Sequence, residues 1–298
     1  MANIKHRREL SDTTLAMLFI APLIIFLFGI IIYPMATSLY SSFSIVKLSP
    51  YQINFAGLLN YANIFSDQYF YHSLLVSARF VAEVVAITTG LSLGIALFLN
   101  EALPFRGVIR AIILLPYALS EFTTAYSWRW FLSSDWGLLN GILYRLGLIK
   151  EYIWFVNYEH SVEWMAVAYS WHIVPLCAFF MLAGLQTIPE QLYMQAKIDG
   201  IGPVGRFTKI TLPFIKYAVL ITLVLSTFFA ATTADIVILM TGGGPGISST
   251  TLTYYIYEVV FKSFNLGYGA AISWLLIAIV MVLATLYFTF LTRTGRAR

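Results

Sequence analysis

Hydrophobic residues fall in six long blocks, over residues 14–40, 73–99, 108–131, 162–186, 213–239 and 270–291. Each block comes close to or exceeds the roughly 20 apolar residues that cross a bilayer as a helix. Only helix satisfies its own backbone N–H and C=O groups over such lengths in lipid. The pattern therefore predicts an all-α polytopic membrane protein with six transmembrane helices in a single domain, 1–298. Pro22 and Pro34 predict bends in the first helix. The most structured polar block lies between the fourth and fifth spans. Thr187 as a cap, Pro189 in the first turn and Glu190 completing a capping box predict a short helix over 189–199. Gly200 and Pro203 stop it. Ile188, Leu192 and Ala196 share one face, and Glu190, Met194 and Lys197 share another.

The blocks on the other side differ. Residues 41–72 are rich in Asn and Tyr, and 132–161 carry Trp136, Trp154 and several tyrosines. Both predict amphipathic helix lying at the membrane surface, with aromatic rings at headgroup depth. Residues 241–253, TGGGPGISSTTLT, predict a flexible loop.

Composition sharpens the class. Apolar residues make up 59% of the chain and charged residues 11%, against about 25% charged in soluble domains. The net charge of +4 then reports topology rather than nucleic-acid binding. With the N-terminus inside, twelve Lys and Arg fall on the inner side: Lys5, Arg7, Arg8, Arg106, Arg110, Lys197, Arg206, Lys209, Lys216, Arg293, Arg296 and Arg298. Four fall outside: Lys47, Arg145, Lys150 and Lys262. Both termini and the 188–203 segment are therefore expected in the cytoplasm. The first span has no small-residue cleavage site and is expected to be retained. Cys177, the only cysteine, sits in an apolar run and reads as a small buried residue.

No catalytic constellation is visible. The Gly-rich tract lacks the GK[ST] of a phosphate-binding loop, and HExxH, paired CxxC and GxSxG are absent. His6, His72, His160 and His172 are not spaced for a metal. Ionisable residues inside spans are costly and draw attention. Arg79 and Glu83, four apart, read as a structural ion pair facing the interior, while Glu121 and Asp235 are candidates to line a solute pathway. His172 beside Trp171 reads either as a polar contact for solute or as a satisfied core histidine. Tyr126, Trp128, Trp130, Trp171 and Trp274 offer flat faces of the kind that hold sugars.

The 188–213 segment resembles the cytoplasmic signature of binding-protein-dependent ABC permeases, EAA, then Gly, then I-x-L-P. Its counterparts here are Met194, Gln195 and Ala196, then Asp199 and Gly200, then Ile210, Leu212 and Pro213. LLPYALSEFTTAYSWRWFLSSDWGLLN at 114–140, and the tract from Asp235 to Pro245, are similar to the carbohydrate branch of that family, the maltose/trehalose/glycerol-phosphate type. The resemblance implies one of two pore-forming subunits, paired with a second permease, more often a different one. It also implies two ATPase subunits that bind the ATP and take up the coupling helix, and an extracytoplasmic or lipid-anchored binding protein that delivers the sugar. The permease itself would then hold no cofactor and catalyse no covalent step. Met194 stands where the family places a glutamate; Glu190, one turn earlier, is the expected substitute. An ion-coupled secondary transporter is the alternative, though six spans without an evident repeat speak against it.

Overall fold

The computed structural model describes residues 11–48, 51–102 and 104–293. In chain order, α1 (Leu15–Ser42) leads into an antiparallel hairpin, β1 (Ser44–Leu48) and β2 (Tyr51–Phe55), and then short α2 (Leu59–Ile64). Next come α3 (Gln68–Asn100), α4 (Arg106–Ala118), α5 (Glu121–Phe131), α6 (Leu138–Arg145) and α7 (Ser161–Leu185). The chain ends with α8 (Glu190–Ile198), α9 (Pro203–Phe214), α10 (Lys216–Thr232), α11 (Leu252–Tyr257) and α12 (Leu266–Arg293). α1, α3, α7 and α12 are each long and apolar enough to cross a membrane. α4 with α5, bent by 91°, and α9 with α10, bent by 68°, bring the count to six when each bent pair is one span.

The centre of the molecule is α7. Its apolar window is 72% buried within the chain, whereas that of α1 is 0% buried. Small residues at Ala166, Ala168, Cys177 and Ala178 let neighbours pack closely around most of α7, leaving Trp171 and Phe180 on its open side. α3 packs along it, and Ser92 Oγ donates to the Val174 carbonyl at 3.0 Å. One apolar cluster joins Phe80, Val84, Met165, Tyr169 and Val237 around the first half of α7. A second joins Leu99, Met181, Leu185 and Ile215 near its end, and a third joins Ile64, Phe70, Leu252 and Ile272.

Several expectations change. α1 is one helix without a sharp break; a wide π-helical turn, Leu27–Ile32, precedes Pro34 and takes up the strain a proline brings. Residues 41–72 are not an amphipathic helix. They contain the hairpin, in register Ser44↔Phe55 and Val46↔Ile53, built on β-branched Ile45, Val46 and Ile53. Asn60 of α2 ties it down, donating to the carbonyls of Ser42 and Ser44 at 2.9 and 3.0 Å. Between α5 and α7, helix is confined to α6.

The third and fifth spans are broken rather than straight. Pro116 has no N–H to give, Leu119 turns to an extended conformation (φ −74°, ψ 149°), and Ser120 caps the new helix α5 through Thr123 N at 3.2 Å. α10 stops at Thr232, and Thr233 is extended (ψ 133°). The 241–253 loop is not slack. Gly243, Ser249, Thr250 and Thr251 are buried. Ser249 Oγ donates to Gly244 O at 2.6 Å, Thr250 Oγ1 to Gly243 O at 3.0 Å, and Tyr254 Oη to Gly242 O at 2.8 Å. Gly243 has φ 81°, and a Cβ there would lie 2.4 Å from the Tyr254 ring, so only glycine fits.

Candidate functional site

The break between α4 and α5 meets the end of α10. They enclose a cavity of about 280 Å³ lined by Glu121, Tyr169, Phe229, Thr232, Thr233, Ala234 and Asp235. Glu121 is the first residue of α5, where the exposed backbone N–H groups of a helix start favour a carboxylate. Thr233 Oγ1, freed by the end of α10, donates to Glu121 Oε2 at 2.9 Å. The Tyr169 hydroxyl lies 3.3 Å from Glu121 Oε1 and 3.1 Å from the Phe229 carbonyl, its single proton shared between them. Asp235 is exposed and has no hydrogen-bond partner among the described residues. Two acceptor groups, three hydroxyls and two ring faces thus converge on one space. That set suits a neutral, polyhydroxylated solute better than an apolar one.

The two carboxylates predicted from the sequence, Glu121 and Asp235, come together here; the other candidates do not line this cavity. His172 is buried at the α4–α5 break, and its Nδ1 donates at 3.0 Å to the carbonyl of Pro116. It closes the break rather than facing solute. Trp128 and Trp171 pair edge to face at 6.1 Å, Trp128 within the main apolar cluster and Trp171 partly exposed. Tyr126 packs on Phe122 at 4.8 Å, and Trp274 is half-buried on α12. Tyr169, Thr232, Thr233 and Phe229 were not anticipated. Tyr169 lies in an apolar run, and the only signal for the others was a Thr-Thr pair just before Asp235.

Arg79 and Glu83 do pair, Nε to Oε1 at 2.9 Å, and the guanidinium also engages Glu163 at the start of α7. The expected interior placement does not hold, because the Arg79 side chain is 49% exposed. No group of three or more His, Cys, Asp or Glu that could hold a metal occurs among the described residues.

The second place of interest is α8, at the end of α7 opposite α5. The expected capping box is absent. Thr187 Oγ1 donates back to Gly184 O at 2.8 Å, and Pro189 holds the cap position without a side-chain bond. Glu190 lies in the first turn, where the helix dipole favours it. The helix closes as a Schellman motif: Gly200 (φ 73°) donates to Lys197 O at 3.2 Å, and Ile201 N to Ala196 O at 2.9 Å. Ala196 is buried, Leu192 and Tyr193 are half-buried, and the Tyr193 hydroxyl meets Thr211 Oγ1 at 2.8 Å. Glu190, Met194, Gln195, Lys197, Asp199 and Gly200 are exposed. So is Ile198, at 85%, together with nearby Val204. α8 is thus fixed along one edge and uncovered along the other.

Comparison with known proteins accounts for this plan. Residues 86–297 match the family described as binding-protein-dependent transport system inner membrane component. The chain is 35% identical over 280 residues to the sulfoquinovosyl glycerol transport system permease protein SmoG of Agrobacterium fabrum, covering 94% of this chain and 91% of that one. It is 34% identical over 303 residues to the trehalose/maltose transport system permease protein MalF of Thermococcus litoralis, covering 99% and 98%. Its fold matches a chain in the crystal structure of a bacterial ABC transporter involved in the import of the acidic polysaccharide alginate, with a TM-score of 0.80 at 20% identity over 94% of this chain and 96% of that chain. The chain belongs to the family of inner membrane components of binding-protein-dependent transport systems.

Proposed function

We propose that this permease forms half of the translocation path of an ABC importer for a carbohydrate. A second permease subunit, most simply a different chain, completes the pore. Two ATPase subunits bind and hydrolyse ATP beneath it, and an extracytoplasmic or lipid-anchored binding protein delivers the sugar. The excess of Lys and Arg on the α8 side supports a topology with α8 and both termini in the cytoplasm. The observation that carries the assembly reading is the uncovered edge of α8, where Met194 and Ile198 stand exposed on a short, firmly closed helix. Such an edge fits a groove on a partner. In this reading Met194 packs apolarly, and Glu190, one turn earlier, supplies the acidic contact.

The carbohydrate assignment is supported by the relatives' transport names and by the hydroxyl- and carboxylate-lined cavity at the helix breaks. Affinity purification of the tagged chain from its own membranes tests the assembly. Stoichiometric recovery of an ABC ATPase and a second permease is expected. A chain that purifies alone, and still catalyses uptake that collapses with a proton uncoupler, would point to the ion-coupled alternative.

A further inference from the structure

A second cavity, of about 360 Å³, lies at the other end of α5, on the side of the molecule away from α8. Arg129, Ser133, Ser134 and Trp154 line it, together with Thr241 and Pro245 of the Gly-rich loop. Its size falls within the ~300–1,000 Å³ of ligand pockets. The Arg129 guanidinium spends one N–H, from Nη1 to Leu239 O at 3.2 Å, and no carboxylate pairs with it among the described residues. Trp154 is half exposed. Its aromatic neighbour Tyr158 meets it at 77° rather than stacking, so no parallel ring covers the indole. The guanidinium of Arg129 and the Gly244–Pro245 turn share the cavity wall with this indole, an arrangement that an interface anchor alone does not require.

The two cavities share their walls. α5 and the 233–245 segment run side by side in the same direction. Thr233 bonds Glu121 at one end at 2.9 Å, and Arg129 bonds Leu239 at the other at 3.2 Å. The eight-residue step from Glu121 to Arg129 spans about 12 Å of helix. One cavity offers donors and an aromatic face; the other offers two carboxylate acceptors. A sugar hydroxyl both donates and accepts, so one polyol can satisfy each in turn.

We propose that the Arg129–Trp154 cavity is a separate solute station. A pyranose ring stacks there on Trp154 and accepts from Arg129 before it passes to the Glu121–Asp235 cavity. This rests on the carbohydrate reading above.

The test uses the full transport complex with its binding protein in proteoliposomes, with radiolabelled trehalose and maltose as probes. Sugar imported is measured against ATP hydrolysed. Trp154→Ala is expected to lower sugar imported per ATP by about tenfold, the order of one lost aromatic stack, with binding-protein-stimulated hydrolysis intact. Trp154→Phe is expected to restore most of it. Unchanged import per ATP overturns the station. So does a parallel fall in import and stimulated hydrolysis, which would make the face a contact for the binding protein. Recovery of Trp154→Ala by added anionic phospholipid would make it a lipid site instead. If the wild-type complex hydrolyses ATP but imports neither these two sugars nor any of a wider panel of mono- and oligosaccharides, the carbohydrate reading itself falls, and this proposal with it.

Discussion

Glu121 sits where a proline, a serine cap and a broken neighbouring helix coincide. Its two oxygens are engaged by Thr233 at 2.9 Å and Tyr169 at 3.3 Å. Tyr169 is 1% exposed, and its hydroxyl lies at the wall of the cavity it shares with Glu121. Tyr169→Phe removes the hydroxyl and leaves the Phe229 carbonyl and one Glu121 oxygen less satisfied, at an expected cost of about 1 kcal/mol. A lower thermal midpoint of the detergent-purified complex checks this. Gly200 is a second single-residue dependence. Its φ of 73° is left-handed, while no atom lies within 4 Å of where a Cβ would stand. Gly200→Asp therefore costs backbone strain of about 1 kcal/mol rather than a clash, and it loosens the close of α8. The expected result is a complex that assembles and hydrolyses ATP but takes up little sugar. Assembly with coupled uptake unchanged would show that α8 is not the coupling element.

At the scale of elements, α8 and the α3 cap carry separate predictions. Ile198 is 85% exposed, so Ile198→Asp should alter the permease's own stability by no more than about 0.5 kcal/mol while reducing the ATPase recovered with it. Equal recovery would place the docking edge elsewhere. Asp67 caps α3 through Tyr69 N and receives the hydroxyls of Tyr255 in α11 at 2.5 Å and Tyr268 in α12 at 2.6 Å. Partial burial alone would raise the Asp67 carboxyl, but those hydroxyls and the backbone N–H groups of Tyr69 and Phe70 outweigh it and hold the group below its ordinary value. A depressed carboxyl stabilises above its unfolded pKa, and the contribution is lost as pH falls through the folded one. The thermal midpoint of the wild type should therefore drop as the pH falls below the ordinary carboxylate value of about 4, and that of Asp67→Asn should drop less. Equal slopes would remove the strut.

These elements also show what could be read in advance. The spans and α8 followed from apolar blocks and from Gly200, because both are local signals. The hairpin was missed because polar Asn and Tyr masked its β-branched core. The meeting of Glu121 with Thr233 was not legible either. It depends on a 91° bend and joins residues 112 apart, and no local pattern carries such a contact. Pro116 pointed to the bend but not to its size. That Trp154 and the Gly-rich loop line one cavity was likewise not legible, because they lie about ninety residues apart in the chain.

The whole molecule joins a buried central helix, a broken third span that faces the end of α10, and a short helix uncovered at one end. α1 has none of its apolar window buried in this chain. The cavities lie along α5, and α8 lies beyond the far end of α7, which runs on for sixteen residues, about 24 Å of helix, past Tyr169 of the nearer cavity. In the proposed assembly, ATP turnover on a partner docked at α8 would therefore reach the solute through movement of packed helices as bodies, not through direct contact. The most direct test of the central claim is sugar uptake by the purified complex in proteoliposomes, with ATP supplied on the α8 side, binding protein on the other, and a proton uncoupler present. The account predicts accumulation of a sugar that requires both ATP and the binding protein and is unchanged by the uncoupler. Uptake that continues without ATP, and is abolished by the uncoupler, would contradict it.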